Sequence, residues 1–238
     1  MDLSSLSRIL GRAVERDYLA INPIVGMRRK LFITEPEPEP VVVPAEDFEK
    51  LLRACRDTRW QALISVAYHC GLRKGELENL EWTDVDFDRL IISVKNKEDH
   101  QTKNRKRREV PLNDDVVTML RQLWSERYVS RWVFTSRALD GRRMHNNTCK
   151  RFEEVVRRAK LVDHANQPKY SLHDLRSSFV TRVLESGANP KRVQRFCGHS
   201  SLSTTMKHYA GDEQWSDRDA VQKIAVGQTA RAATFLPF

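Results

Sequence analysis

Apolar positions recur along the chain in short periodic runs, most of them at helical spacing. Leu3, Leu6, Leu10, Val14 and Tyr18 fall three or four residues apart, which predicts an amphipathic helix over residues 3–18, stopped by Asn22-Pro23. One helix cannot bury its own stripe, so this helix is read as the stub of a larger helical unit. Residues 34–44 alternate Glu and Pro before a Val triplet, a pattern that disfavours helix and predicts an extended linker. Beyond it, amphipathic helices are predicted at 45–56 and 60–70, the second almost wholly apolar and therefore central. Gly71 is the expected cap, and a short helix follows at 73–80. Residues 90–94 and 107–112 read as strands flanking a long basic turn. Helix returns at 114–124, then a brief apolar run at Trp132–Phe134, then helices at 146–160, 190–196 and 202–209. The pattern amounts to an α+β fold, mostly α-helical, with a small antiparallel β-sheet and no internal repeat.

Residues 171–185 form the stretch around which the rest is organised. At about 100° per residue, Leu175, Phe179, Val180, Val183 and Leu184 occupy one half of the wheel. Asp174, Ser177, Ser178, Thr181, Arg182 and Glu185 occupy the other. His173 and Arg176 break the division, since both lie within the apolar half, one turn apart. A guanidinium at the edge of a buried face is costly unless something negative meets it. Either an internal carboxylate or a bound anion answers that need, with an imidazole beside it.

Composition narrows the choice. The 238 residues carry 41 Lys and Arg against 32 Asp and Glu, a net charge of +9 and a pI near 9.6. That balance favours a polyanion, nucleic acid before membrane, because no basic amphipathic helix with an aromatic face stands out. Cys55, Cys70, Cys149 and Cys197 form no Cys-x-x-Cys pair and read as buried free thiols of a reducing compartment. With no long apolar run and no signal peptide, the sequence predicts a soluble, cytoplasmic protein.

Five elements then line up in order: Gly71-Leu-Arg73-Lys-Gly-Glu76-Leu; Lys103 in the turn before Glu109-Val-Pro-Leu112; His173-Asp-Leu-Arg176; Gly198-His199-Ser-Ser; and Tyr209. Together they resemble the tyrosine recombinase (phage integrase) family over about residues 41 to 210, its catalytic domain. The first helix is similar to the last helix of that family's core-binding domain. The resemblance implies a tyrosine-recombinase-like catalytic domain at 45–210, preceded by a residual core-binding helix at 1–33 and the linker at 34–44. A tail at 211–238 would dock on a neighbouring protomer or fold back on its own domain.

The resemblance also implies chemistry. Arg73 and Arg176 would hold the non-bridging oxygens of a DNA phosphodiester in its pentavalent transition state, a task suited to planar, permanently protonated forks. Glu76 would orient Arg73 or its surroundings. Tyr209 would be the nucleophile and form a 3′-phosphotyrosyl bond, with His173 accepting its proton. Lys103 would protonate the departing 5′ oxygen, with Lys97 or Lys106 as alternatives, and His199 would donate to a non-bridging oxygen. The interval from His199 to Tyr209 is ten residues, one more than in many members of the family. Lys95, Lys97, Arg105, Lys106, Arg107 and Arg108 are expected to lie along DNA phosphates.

No metal or other cofactor is implied. The partners implied are double-stranded DNA and further protomers, a tetramer on two DNA sites. The expected function is a site-specific recombinase or integrase. The alternatives are relaxation of supercoils in the manner of a type IB topoisomerase, or a non-catalytic DNA-binding remnant, since about one helix precedes residue 41 where the family carries a clamping domain.

Overall fold

The computed structural model describes residues 3–25, 39–97, 107–126, 130–136, 144 and 147–208. The chain divides into two compact units, Met1–Pro38 and Glu39–Phe238. In the first, helix α1 (Leu3–Glu15) ends sooner than the Asn-Pro dipeptide suggests. Asp17 takes a left-handed φ of 60°, and the Asp17 and Tyr18 amides turn back onto the Val14 and Ala13 carbonyls at 3.1 and 2.9 Å. The helix is thus closed by its own backbone, and Tyr18, expected on the apolar stripe, is exposed. Asn22 instead donates its Nδ2 to the Ser7 carbonyl at 2.8 Å.

The second unit contains α2 (Ala45–Ala54), α3 (Thr58–Cys70), α4 (Lys74–Glu78), a 3-10 turn (Trp82–Asp84) and three strands, β1 (Val85–Asp86), β2 (Ile91–Val94) and β3 (Arg108–Pro111). Then come α5 (Asp114–Ser125), α6 (Thr148–Arg158), α7 (Leu172–Glu185), α8 (Pro190–Cys197) and α9 (Leu202–Met206). As the near-continuous apolar run predicts, α3 is central. Ala62, Leu63, Ile64, Val66, Ala67 and Cys70 are all inaccessible to solvent, and α2, α5 and α7 pack around it. Asp57 caps its start, accepting from the Trp60 amide at 3.0 Å. Gly71 closes it in the left-handed region at φ 61°. A Cβ at Gly71 would lie 2.4 Å from the Phe179 ring, so glycine is needed here both for the turn and for the approach of α7.

The two-sided division of α7 does not survive folding. Ser177, Ser178 and Thr181, expected toward solvent, are buried with the apolar residues. The segment leading into α2 meets Ser178: the Val43 amide donates to Ser178 Oγ at 2.8 Å, and the Val43 carbonyl accepts from the Tyr68 hydroxyl at 3.2 Å. A buried hydroxyl is tolerated where it is hydrogen-bonded; Ser178 also donates to the Asp174 carbonyl at 2.6 Å. His173, by contrast, is exposed on the first turn.

The strands form one antiparallel sheet in the order β1-β2-β3, with Ile92 opposite Val110 and Val94 opposite Arg108. Alternation puts Ile92, Val94, Val110 and Arg108 on the inner face, where all four are buried. The apolar run at 132–134 lies beside the 3-10 turn, with the Val133 amide on the Leu80 carbonyl and the Trp82 amide on the Arg131 carbonyl, each 2.9 Å. Helix α8 docks on α7 through Val193 and Cys197, which share a small core with Phe179, Val180 and Leu184. The four cysteines are unbridged; Cys149, expected buried, is exposed, while Cys70 and Cys197 are enclosed. No helix among the described residues is long and apolar enough to cross a membrane.

Candidate active site

Helix α8 ends at Cys197, and Gly198 turns the chain at φ 62°. The last carbonyls of any helix lack intrahelical partners and carry the negative end of its dipole. Here three arginines from three other elements supply the donors. Arg108 Nε reaches the Phe196 carbonyl at 2.7 Å, Arg176 Nη2 the Cys197 carbonyl at 2.5 Å and Arg73 Nη2 the Gly198 carbonyl at 2.7 Å. Arg176 Nη1 also donates to the Gly71 carbonyl, so one guanidinium ties the C-terminal ends of α3 and α8 together.

Arg73 and Arg176, separated widely in sequence, are therefore neighbours. The anion that Arg176 demands is not an internal carboxylate among the described residues, since its guanidinium donates to the Gly71 and Cys197 carbonyl oxygens. Glu76 is close, but its oxygens are engaged elsewhere. Oε2 accepts from the Arg73 amide at 2.7 Å and Oε1 from Arg73 Nη1 at 3.1 Å. The same pair accepts two bonds from Arg108, at 2.8 and 2.6 Å. Burial pushes the Glu76 carboxyl up, but Arg108 and then Arg73 outweigh it and hold it below the usual range. Burial and the adjacent Arg73 draw Arg176 down to about 10, which leaves it charged at neutral pH. Cys197 lies among these cations, yet burial keeps its thiol up and protonated.

His199 follows the turn, half-buried, with Nδ1 at 2.9 Å from Thr205 Oγ1. Burial, then the charges of Arg176 and Arg73, depress it to about 3, so its imidazole is neutral. His208 lies near-parallel to it at 6.4 Å between ring centroids and 3.4 Å from Thr181 Oγ1. It too is depressed, by burial first and then by His173 and Arg176. His173 thus belongs to the same neighbourhood as His208 and Arg176. Arg73 and Arg108 share the Glu76 carboxylate, and with Arg176 and the neutral His199 beside them the cluster carries an excess of positive charge suited to an oxyanion.

The remaining sequence-derived residues divide. Tyr209, Lys103, Arg105 and Lys106 lie outside the described residues. Arg107 is exposed and pairs with Glu109 at 3.3 Å, and Lys95 is half-exposed and pairs with Asp84 at 3.2 Å. Two of the expected DNA-contacting residues meet partners within the protein. Lys97 does not face outward: its ammonium is held by Asp84 Oδ2 at 2.5 Å, Glu81 Oε1 at 3.1 Å and the Asn79 carbonyl at 2.6 Å. Those partners satisfy the ammonium inside the protein. Arg108 does not lie along a phosphate-binding loop either; its side chain is 5% exposed and committed to Glu76. Two residues escaped the sequence reading, Thr205, which is fully buried against His199, and the inward role of Arg108. For Arg108 a signal existed, because it stands two residues from the apolar Val110 on a strand. For Thr205 there was none.

Residues 42–214 match the phage integrase family. A tyrosine recombinase of Thermosipho africanus is 32% identical over 203 residues, which cover 83% of this chain and 64% of that protein. A tyrosine recombinase XerC of Proteus mirabilis is 30% identical over 213 residues, covering 85% and 64%. The chain thus spans a little under two thirds of the length of these relatives. Among solved structures, a Tn1549 transposon integrase in complex with a circular intermediate DNA superposes with a TM-score of 0.71 at 23% identity, covering 93% of this chain and 77% of that one. XerA recombinase gives 0.63 at 23% identity, covering 96% and 84%. At such identities the likeness concerns the fold.

Proposed function

The chain belongs to the phage integrase family, and from that premise we propose that it is a site-specific DNA recombinase, an integrase that cuts and rejoins strands through a 3′-phosphotyrosyl intermediate. The observation that carries this reading is the meeting of Arg73 and Arg176 at adjacent carbonyls of the α8 terminus, with no carboxylate among the described residues assigned to Arg176. A scissile phosphate supplies the missing negative charge. Its non-bridging oxygens take the guanidiniums, which remain protonated through the reaction. Neutral His199 has one N–H, and this reading assigns it to Nε2, where it is available to the same oxygens, leaving Nδ1 to accept from the Thr205 hydroxyl 2.9 Å away.

Tyr209 is the nucleophile of this reading. Its phenol oxygen attacks phosphorus, its proton passes to His173, the bond from phosphorus to the 5′ oxygen breaks, and Lys103 protonates the departing oxygen. The 5′-hydroxyl of a partner strand then attacks the phosphotyrosine, reforms the phosphodiester and releases Tyr209. The energy of the linkage is retained throughout, so no external energy source enters.

The proposed partners are double-stranded DNA and further protomers, four on two DNA sites and a single protomer without DNA. Residues 1–33 are proposed as the last helix of a core-binding domain, 34–44 as its linker and 211–238 as a tail that docks on a neighbour. Support comes from the DNA-bound integrases that share the fold, among them a lambda integrase dimer bound to a core site. The protein acts on DNA in the cytoplasm. The test is a duplex nicked beside the scissile phosphate, incubated with the wild-type chain and with Tyr209→Phe and run on a denaturing gel. A covalent protein–DNA band from the wild type alone is expected; a band that persists in Tyr209→Phe refutes the nucleophile assignment.

A further inference from the structure

Arg108 makes a fork-on-fork pair with Glu76, Nη1 to Oε1 at 2.8 Å and Nη2 to Oε2 at 2.6 Å. Both of those oxygens also hold Arg73, one through its amide and one through its Nη1. The third donor of Arg108, Nε, fixes the Phe196 carbonyl, two residues before the Gly198 carbonyl to which Arg73 is bonded. Its side chain also lies close against Gly198, where a Cβ would meet Cδ and Nη1 of Arg108 at 3.3 Å. The side-chain hydrogen bonds of Arg108 thus go to the carboxylate that holds Arg73 and to a carbonyl two residues before the Gly198–His199 turn.

We propose that Arg108 is a positioning residue: buried on the inner face of β3, it sets Arg73 through Glu76 and sets the His199 turn through Phe196. The inference rests on the recombinase reading above. A guanidinium is required because one planar fork must serve both carboxylate oxygens while its Nε serves a carbonyl on another element. An ammonium at that place keeps the charge and loses the geometry, and displacements of about 1 Å at a reacting centre cost about 100-fold in rate.

The test compares Arg108→Lys with wild type on the nicked duplex in single turnover. Covalent capture at saturating DNA is expected to slow about 100-fold, while the half-saturating DNA concentration and its salt dependence stay within about twofold. Should Arg108→Lys melt near the assay temperature, the paired variant Arg108→Met with Glu76→Gln removes both charges together, a change that buried pairs often tolerate. It should fold and be equally slow. Capture at the wild-type rate per folded molecule in either variant overturns the proposal, as does a salt slope reduced by about one in the paired variant, the mark of a lost phosphate contact. Absence of any covalent product from the wild-type chain overturns the recombinase reading itself, and this inference with it.

Discussion

His199 shows how one residue couples the site to the stability of the fold. Buried near Arg176 and Arg73, it is depressed to about 3, whereas in the unfolded chain it titrates at about 6.5. Between those values the unfolded state binds a proton that the folded state refuses. Stability is therefore lost as pH falls from about 6.5 toward 3, and is unaffected by this residue above that window. His208 acts in the same sense. His199→Gln keeps a hydrogen-bonding partner for Thr205 and cannot protonate, so its stability should decline less between pH 7 and pH 5 than that of the wild type. Urea midpoints at the two pH values measure this, and equal declines would sink the assignment. The histidine was visible in the sequence after Gly198. Its neutrality was not, because it comes from burial first and then from the charges of Arg176 and Arg73, both set by packing across the chain.

At the scale of elements, the apolar run of α3, its Gly71 cap and the alternation in β2 and β3 were readable because each is a local pattern with a local cause. The amphipathic reading of α7 failed for the opposite reason. Its Ser178 is met by the strap at Val43, which arrives from 135 residues earlier, and periodicity says nothing about what a distant segment will cover. Gly71 joins the two helices and offers a clean test. Gly71→Ala must hold a left-handed φ and displace the Phe179 ring. Strain and overpacking together should destabilise the fold by about 2–4 kcal/mol. Adding Phe179→Leu should restore the overpacking share and leave the backbone share. Thermal melts of the three proteins report this, and a Gly71→Ala variant as stable as wild type contradicts the close packing described.

For the whole molecule, the net charge of +9 makes the affinity for duplex DNA an electrostatic quantity. If three or four phosphates are contacted, log K should fall against log salt with a slope of about −3 or steeper, roughly a 60-fold loss from 50 to 200 mM. Fluorescence anisotropy on a labelled duplex measures it, and binding indifferent to salt would contradict a phosphate-dominated surface. Within the basic turn, exposed Arg107 and Lys95 should lower that slope when neutralised, while Lys97, tied to Asp84 and Glu81, should not. Sequence alone treated these residues as equivalent, since charge is written in the sequence and its compensation is not.

What the sequence determined by itself was most of the helices, two of the strands, the Gly71 cap and the order of the chemical motifs, because these follow from periodicity, turn chemistry and residue type acting over a few positions. Tertiary structure alone decided which cations are spent inside the protein and which are left for an anion. Arg73 meets the Gly198 carbonyl across 125 residues, Arg176 meets Gly71 across 105 and Arg108 meets Glu76 across 32. Burial and pairing are properties of the groups that surround a side chain, and those groups are brought together only when the helices pack.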